Sequence, residues 1–82
     1  PHSWIYIDIE DDSGESALWA LEAAGPDTIL RNGINADDVR PGDTIQVRCH
    51  RQRDGGPGCL LGFVTPLHGD STRGHGVERE WD

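Results

Sequence analysis

Four histidines, two cysteines and fifteen carboxylates are the side chains of this chain best suited to ligate a metal ion or move a proton. His68-Gly69-Asp70 and Arg73-Gly74-His75 put two imidazoles and one carboxylate into a single glycine-rich stretch. Imidazole nitrogen suits Zn²⁺ and Cu²⁺, and glycine lets the backbone bend around an ion. His68, Asp70 and His75 are therefore the candidate ligands of a Cu or Zn site, with His2 as a further contributor. The spacing matches no recognised ligand pattern, and a glycine-rich polar tail is more often simply mobile. His2 has an ordinary alternative role, hydrogen bonding that orders the chain as it enters the first strand.

Cys49 and Cys59 flank a polar loop, Arg51 to Gly58. If the strands on either side form a hairpin, the two thiols fall nearly opposite each other on one face, which favours a disulfide. Closing that loop is worth about 3 kcal/mol by loop-closure entropy, a large term for a small domain. Free buried thiols and half of a metal site are the alternatives. No Cys-x-x-Cys redox arrangement is present.

Catalytic readings have little support. Ser3, Ser13, Ser16 and Ser71 lack a nucleophile-elbow context. The paired acids Asp11-Asp12 and Asp37-Asp38 sit in turn sequences, where solvation and capping account for them. The expectation is a chain that is not an enzyme. Trp4, Tyr6 and Trp19 offer a different chemistry, since an aromatic cluster on a sheet face can bind a sugar, an apolar ligand or a protein. The competing role for these rings is to fill a core short of aliphatic residues.

The elements that would position these groups follow from hydrophobic periodicity. Trp4 to Glu10 alternates, with Ile5, Ile7 and Ile9 on one face and Trp4, Tyr6 and Asp8 on the other, as a strand does. Asp11-Asp12-Ser13-Gly14 is turn chemistry, and Ser16 to Glu22 returns as the second arm of a hairpin. Gly25-Pro26-Asp27 opens a short helix that Asn32-Gly33 ends. Arg40-Pro41-Gly42-Asp43 predicts a type II turn leading into the strand Thr44 to His50. Cys59 to Thr65 is the next strand, with Cys59, Leu61 and Phe63 on one face and Gly62 marking a bulge or bend. The resulting fold class is mainly β, either a small OB-like barrel or a curved antiparallel sheet, with one short helix between two hairpins. Residues 1–66 form the β-domain, and residues 67–82 form a Gly/His-rich polar tail in which Val77 to Trp81 is a candidate edge strand.

Composition excludes several partners. All seven basic residues are arginine and the net charge is −8, which repels phosphate backbones, so no nucleic-acid partner is expected. No segment approaches the roughly 20 apolar residues needed to cross a bilayer, so no membrane insertion is expected. The chain opens at Pro1 directly into a strand, with no signal sequence, which reads as a processed or partial polypeptide.

The ordered set Pro1-His2-Ser3-Trp4-Ile5, Trp19-Ala20-Leu21-Glu22, Gly25-Pro26 with Leu30-Arg31-Asn32-Gly33, and Arg40-Pro41-Gly42-Asp43-Thr44-Ile45 resembles a family of small secreted bacterial proteins of unknown function. Gly62-Phe63-Val64-Thr65 extends the likeness. The resemblance implies an OB-like β-barrel, a periplasmic or extracellular location, and one or two strands ahead of the Pro-His-x-Trp motif. It implies no activity. Two departures stand out: Ile34 replaces the tryptophan usual there, and the tail from His68 to Asp82 is longer and richer in glycine and histidine. The functional expectation is a non-catalytic exported interaction or accessory module in a larger envelope or extracellular assembly, with another protein or its own copies as partner. The alternative is a small periplasmic metal-binding protein using His68, Asp70 and His75.

Overall fold

Two hairpins and the helix between them form as the residue pattern predicts, in a computed structural model that describes residues 1–82. Strands β1 (Ser3–Glu10) and β2 (Ser16–Ala23) pair antiparallel with Ile5 opposite Leu21 and Ile7 opposite Trp19. The Asp11 carboxylate fastens their turn, accepting from the Ser13 hydroxyl at 2.6 Å and from the Ser13 and Glu15 N–H groups at 2.9 and 3.0 Å. Helix α1 (Pro26–Arg31) starts on proline, whose missing N–H costs nothing in the first turn. It ends in a Schellman motif, with Gly33 N–H bonded to Leu30 O and Ile34 N–H to Ile29 O. Ile34, which follows that cap, is 2% exposed.

The predicted turn precedes the second hairpin. Gly42 has φ +90° and Asp43 N–H bonds to Arg40 O at 3.0 Å, as a type II turn requires. Strands β3 (Ile45–Arg51) and β4 (Gly58–Pro66) then pair antiparallel. A bulge at Gly62 shifts their register, because Arg48 faces Phe63 while Cys49 faces Leu61. A Cβ at Gly62 would lie 3.1 Å from the Arg48 carbonyl, so the bulge favours glycine. The shift corrects one expected face: Cys59 and Leu61 point into the core, but beyond the bulge the inward residue is Val64, at 1% exposure, not Phe63. Phe63 turns outward beneath the Arg48 guanidinium, 4.3 Å from its ring centre. Glu78 holds that guanidinium by a fork of bonds at 2.9 and 2.8 Å.

The hairpins are joined by a parallel contact of three residue pairs, Ala20 with Gly58, Leu21 with Cys59 and Glu22 with Leu60. The strand order is β1-β2-β4-β3, and the short β5 (Arg79–Glu80) pairs with β4 at Val64 and Phe63. The sheet is therefore mixed, and it does not close into a barrel, since β1 and β3 do not pair. The core beneath it is Leu21, Ala23, Cys59, Leu61 and Val64, with Ile5, Ile7, Trp19, Ile45, Val47 and Trp81 packed around.

Residues 67–82 pack against the same body. Trp81 N–H bonds to Gly62 O and Ala24 N–H to Trp81 O, each at 2.8 Å, while the Asn32 side chain donates to Glu80 O at 3.0 Å. Cys49 and Cys59 form a disulfide with Cα atoms 5.8 Å apart. The two residues are diagonal rather than directly opposed, for Cys59 sits across from Arg51. Replacing both cysteines by alanine is expected to cost about 3 kcal/mol in a urea titration, and reduction of the natural protein should cost a similar amount.

Candidate binding cleft

The sheet curls so that its two outer strands approach without pairing, and a cavity of about 810 Å³ lies between them. One wall is β1 from Trp4 to Ile9. The other comprises Val39, the Arg40–Asp43 turn and the start of β3 through Val47, with Trp81 also lining the cavity. Strand alternation explains the apolar lining: Ile5, Ile7, Ile45 and Val47 point toward the core but remain half-buried because no further strand covers them.

Both walls present unpaired backbone. Asp11 N–H bonds to Glu15 O, which by the register makes the odd-numbered residues of β1 the ones bonded to β2. Trp4, Tyr6 and Asp8 therefore direct N–H and C=O away from the sheet. On β3, Leu67 N–H bonds to Thr44 O, so Ile45 and Val47 are the outward residues there.

Charge in the cleft is uneven. Asp43 is engaged by Arg73 at 2.5 Å, and both side chains are only 14% exposed. Arg73 also donates to Asp37 O at 2.7 Å, so one guanidinium ties the tail to the turn below the cleft. Asp8 carries no such partner. The Arg40 N–H and then the Arg73 guanidinium hold the Asp43 carboxyl below its ordinary value of 3.8.

The sequence candidates fall in three places. Trp4 and Tyr6 stand on the outer face, 50% and 63% exposed, near Leu18 and Leu60 at 60% and 51%. Trp19 does not join them: it lies opposite Ile7 on the inner face, with the Arg51 guanidinium 5.1 Å from its ring centre. The proposed trio is therefore split by strand alternation.

His68, Asp70 and His75 do share one loop, with the imidazole centres 6.2 Å apart. Both His68 nitrogens, His75 Nδ1 and one Asp70 carboxylate oxygen are already hydrogen-bonded. His68 Nε2 meets Asp38 O at 3.1 Å and its Nδ1 accepts from Asp70 N–H, while His75 Nδ1 accepts from Gly69 N–H at 2.8 Å. The Asp70 carboxylate accepts from the Thr72 hydroxyl and N–H, which hold its pKa below 3.8. His2 is drawn to Glu22 instead of to this loop. No three His, Cys, Asp or Glu side chains are grouped so as to hold a metal ion.

Sequence reasoning named Trp4 and Tyr6 but missed the cleft beside them. Its only sequence signal was the count of strands, one short of a closed five-stranded barrel unless Val77 to Trp81 or sequence upstream of Pro1 supplied the last. The tail strand β5 joins β4 instead, leaving β1 and β3 bare.

The geometry defines a small mainly-β domain with an open sheet and an apolar cleft between its two free edges. By sequence, the chain belongs to a family of unknown function (DUF6152), whose match spans residues 1–61. No curated protein and no solved structure matched the chain.

The Asp43–Arg73 contact has a pH signature. Folding lowers the Asp43 pKa below 3.8, so its contribution is full above that value and is lost as pH falls through the folded pKa. Asp43→Asn should lower Tm at neutral pH, and the gap from the natural protein should narrow as the solution is acidified through the aspartate range. A thermal unfolding series against pH checks this.

Proposed function

We propose that this domain is a non-catalytic interaction or accessory module of an exported protein, acting within an envelope or extracellular assembly. The observation that carries the reading is the cleft itself, an apolar hollow of about 810 Å³ bounded by two strand edges whose backbone groups have no partner among residues 1–82. Such edges are usually covered or blunted, because they invite pairing with another chain. Trp4 and Tyr6 border the same cleft and add amphipathic aromatic surface of the kind enriched in protein interfaces.

Export is supported by the Cys49–Cys59 disulfide, which persists in oxidising compartments and is rare in reducing ones. No helix is long and apolar enough to cross a membrane. Metal binding by His68, Asp70 and His75 is the alternative; His68 would first have to give up its bond to Asp38 O or to Asp70 N–H.

The test is a photo-crosslinking amino acid placed at Tyr6 in the natural host, with the exposed loop residue Arg53 as the reference position. A discrete adduct with one protein from Tyr6 and none from Arg53 is the expected result. Absence of any adduct at Tyr6, or the same adducts from both positions, contradicts the proposal.

A further inference from the structure

We infer that the loop between β3 and β4 is a cleavage site for an arginine-directed serine protease, cut between Arg53 and Asp54. The Cys49–Cys59 disulfide turns that cut into a two-chain domain instead of a release. The loop lies outside the cleft and is exposed from Gln52 to Gly55. Its tip, Asp54-Gly55-Gly56-Pro57, is the kind of small polar segment at which nicking concentrates.

The distribution of basic residues makes the choice sharp. The chain has seven arginines and no lysine, and six of the seven are shielded. Arg31 is followed by Asn32, whose N–H bonds to Thr28 O and Ile29 O at the helix end. Arg40 is followed by Pro41, whose ring and missing N–H suit it poorly to the leaving position. Arg48 lies within the β3–β4 ladder, and Arg79 within the pairing of β5 with β4. Arg51 sits opposite Cys59, and the N–H of Gln52 after it bonds to Gly58 O at 3.3 Å. Arg73 is only 14% exposed, its guanidinium is held by Asp43, and the following Gly74 N–H bonds to Ser71 O.

Arg53 differs on each count. It is exposed, lies outside every strand and helix, and makes no ion pair. The N–H and C=O groups of Arg53 and Asp54 enter no backbone hydrogen bond. An arginine-directed protease takes this side chain in an acidic pocket while the backbone around it extends. To extend, the loop gives up the Gly55 N–H bond to Gln52 O and the Gly56 N–H bond to the Asp54 carboxylate. Both bonds are local to the loop, so the opening is a small local one.

Hydrolysis adds one water across the Arg53–Asp54 amide, leaving a carboxylate on Arg53 and an ammonium on Asp54. Cys49 lies on one side of the cut and Cys59 on the other, so the S–S bond spans it. β3 stays paired with β4, and β4 with β2. The cut divides the chain without dividing the sheet.

The test treats the purified full-length protein, disulfide intact, with limiting trypsin and maps the cuts within residues 1–82 by mass spectrometry. The first should fall at Arg53–Asp54, with the two pieces held together until a reductant is added. Arg53→Gln should slow the first cut in this region at least about tenfold, while Arg31→Gln should leave its rate unchanged. The cut, unreduced protein should keep the amide resonances of Leu21, Leu61 and Val64 in the core. A first cut at any other arginine overturns the inference, as does an unchanged rate in Arg53→Gln. Pieces that part before reduction, or loss of the core resonances on cutting, overturn it as well.

Discussion

The short parallel contact between β2 and β4 is the joint on which the rest of the structure depends. Leu21 and Cys59 meet there as register partners, and both are fully buried. Each hairpin is local and would be marginal alone, because an isolated two-stranded ribbon buries too little apolar surface. The joint lets Leu21 from the first hairpin and Cys59, Leu61 and Val64 from the second form one core. The disulfide secures it from the far side by tying Cys59 to β3. With so few fully buried residues, truncating Leu21 would remove a large part of what holds the hairpins together.

The joint also sets the direction of everything outside it. Because β2 and β4 run parallel, their antiparallel partners β1 and β3 run parallel to each other at the two ends of the sheet. Right-handed twist curls such a sheet, which brings those ends toward one another around the inward isoleucines and valines. Residues 67–82 line the cleft only through Trp81 and otherwise brace the sheet. Arg73 clamps Asp43, Asn32 holds Glu80, and Trp81 reaches the core beside β4. Within residues 1–82 the tail braces the sheet at β4 and does not pair with β1 or β3.

Local features were legible in the sequence because local chemistry determines them. Asp11 and Ser13 in the first turn, Pro41-Gly42 in the second and Gly33 at the helix end each carry a backbone requirement that few other residues meet. The Cys49–Cys59 pairing was legible for the same reason, as both cysteines belong to one hairpin. Long-range registers were not. Nothing in Ala20-Leu21-Glu22 announces a parallel partner at Gly58-Cys59-Leu60, since any half-buried strand would read alike. Gly62 signalled a bulge, but not that the bulge would exchange Phe63 for Val64 in the core. Trp19 shows the limit most clearly. Its aromatic type suggested company with Trp4 and Tyr6, while its register opposite Ile7 decided the face. The histidines of the tail lie with their ring centres 6.2 Å apart, and the backbone N–H groups that engage them could not be foreseen from composition.

An open cleft requires both outer edges to be free in a polypeptide of residues 1–82. Amide hydrogen exchange, resolved residue by residue, measures this directly. Within β1 the amides of Ile5 and Ile7 should exchange slowly and those of Trp4, Tyr6 and Asp8 fast, with Ile45 and Val47 fast on β3. Slow exchange at all of these positions in the isolated monomer would mean the edges are already paired, and the open cleft would be contradicted.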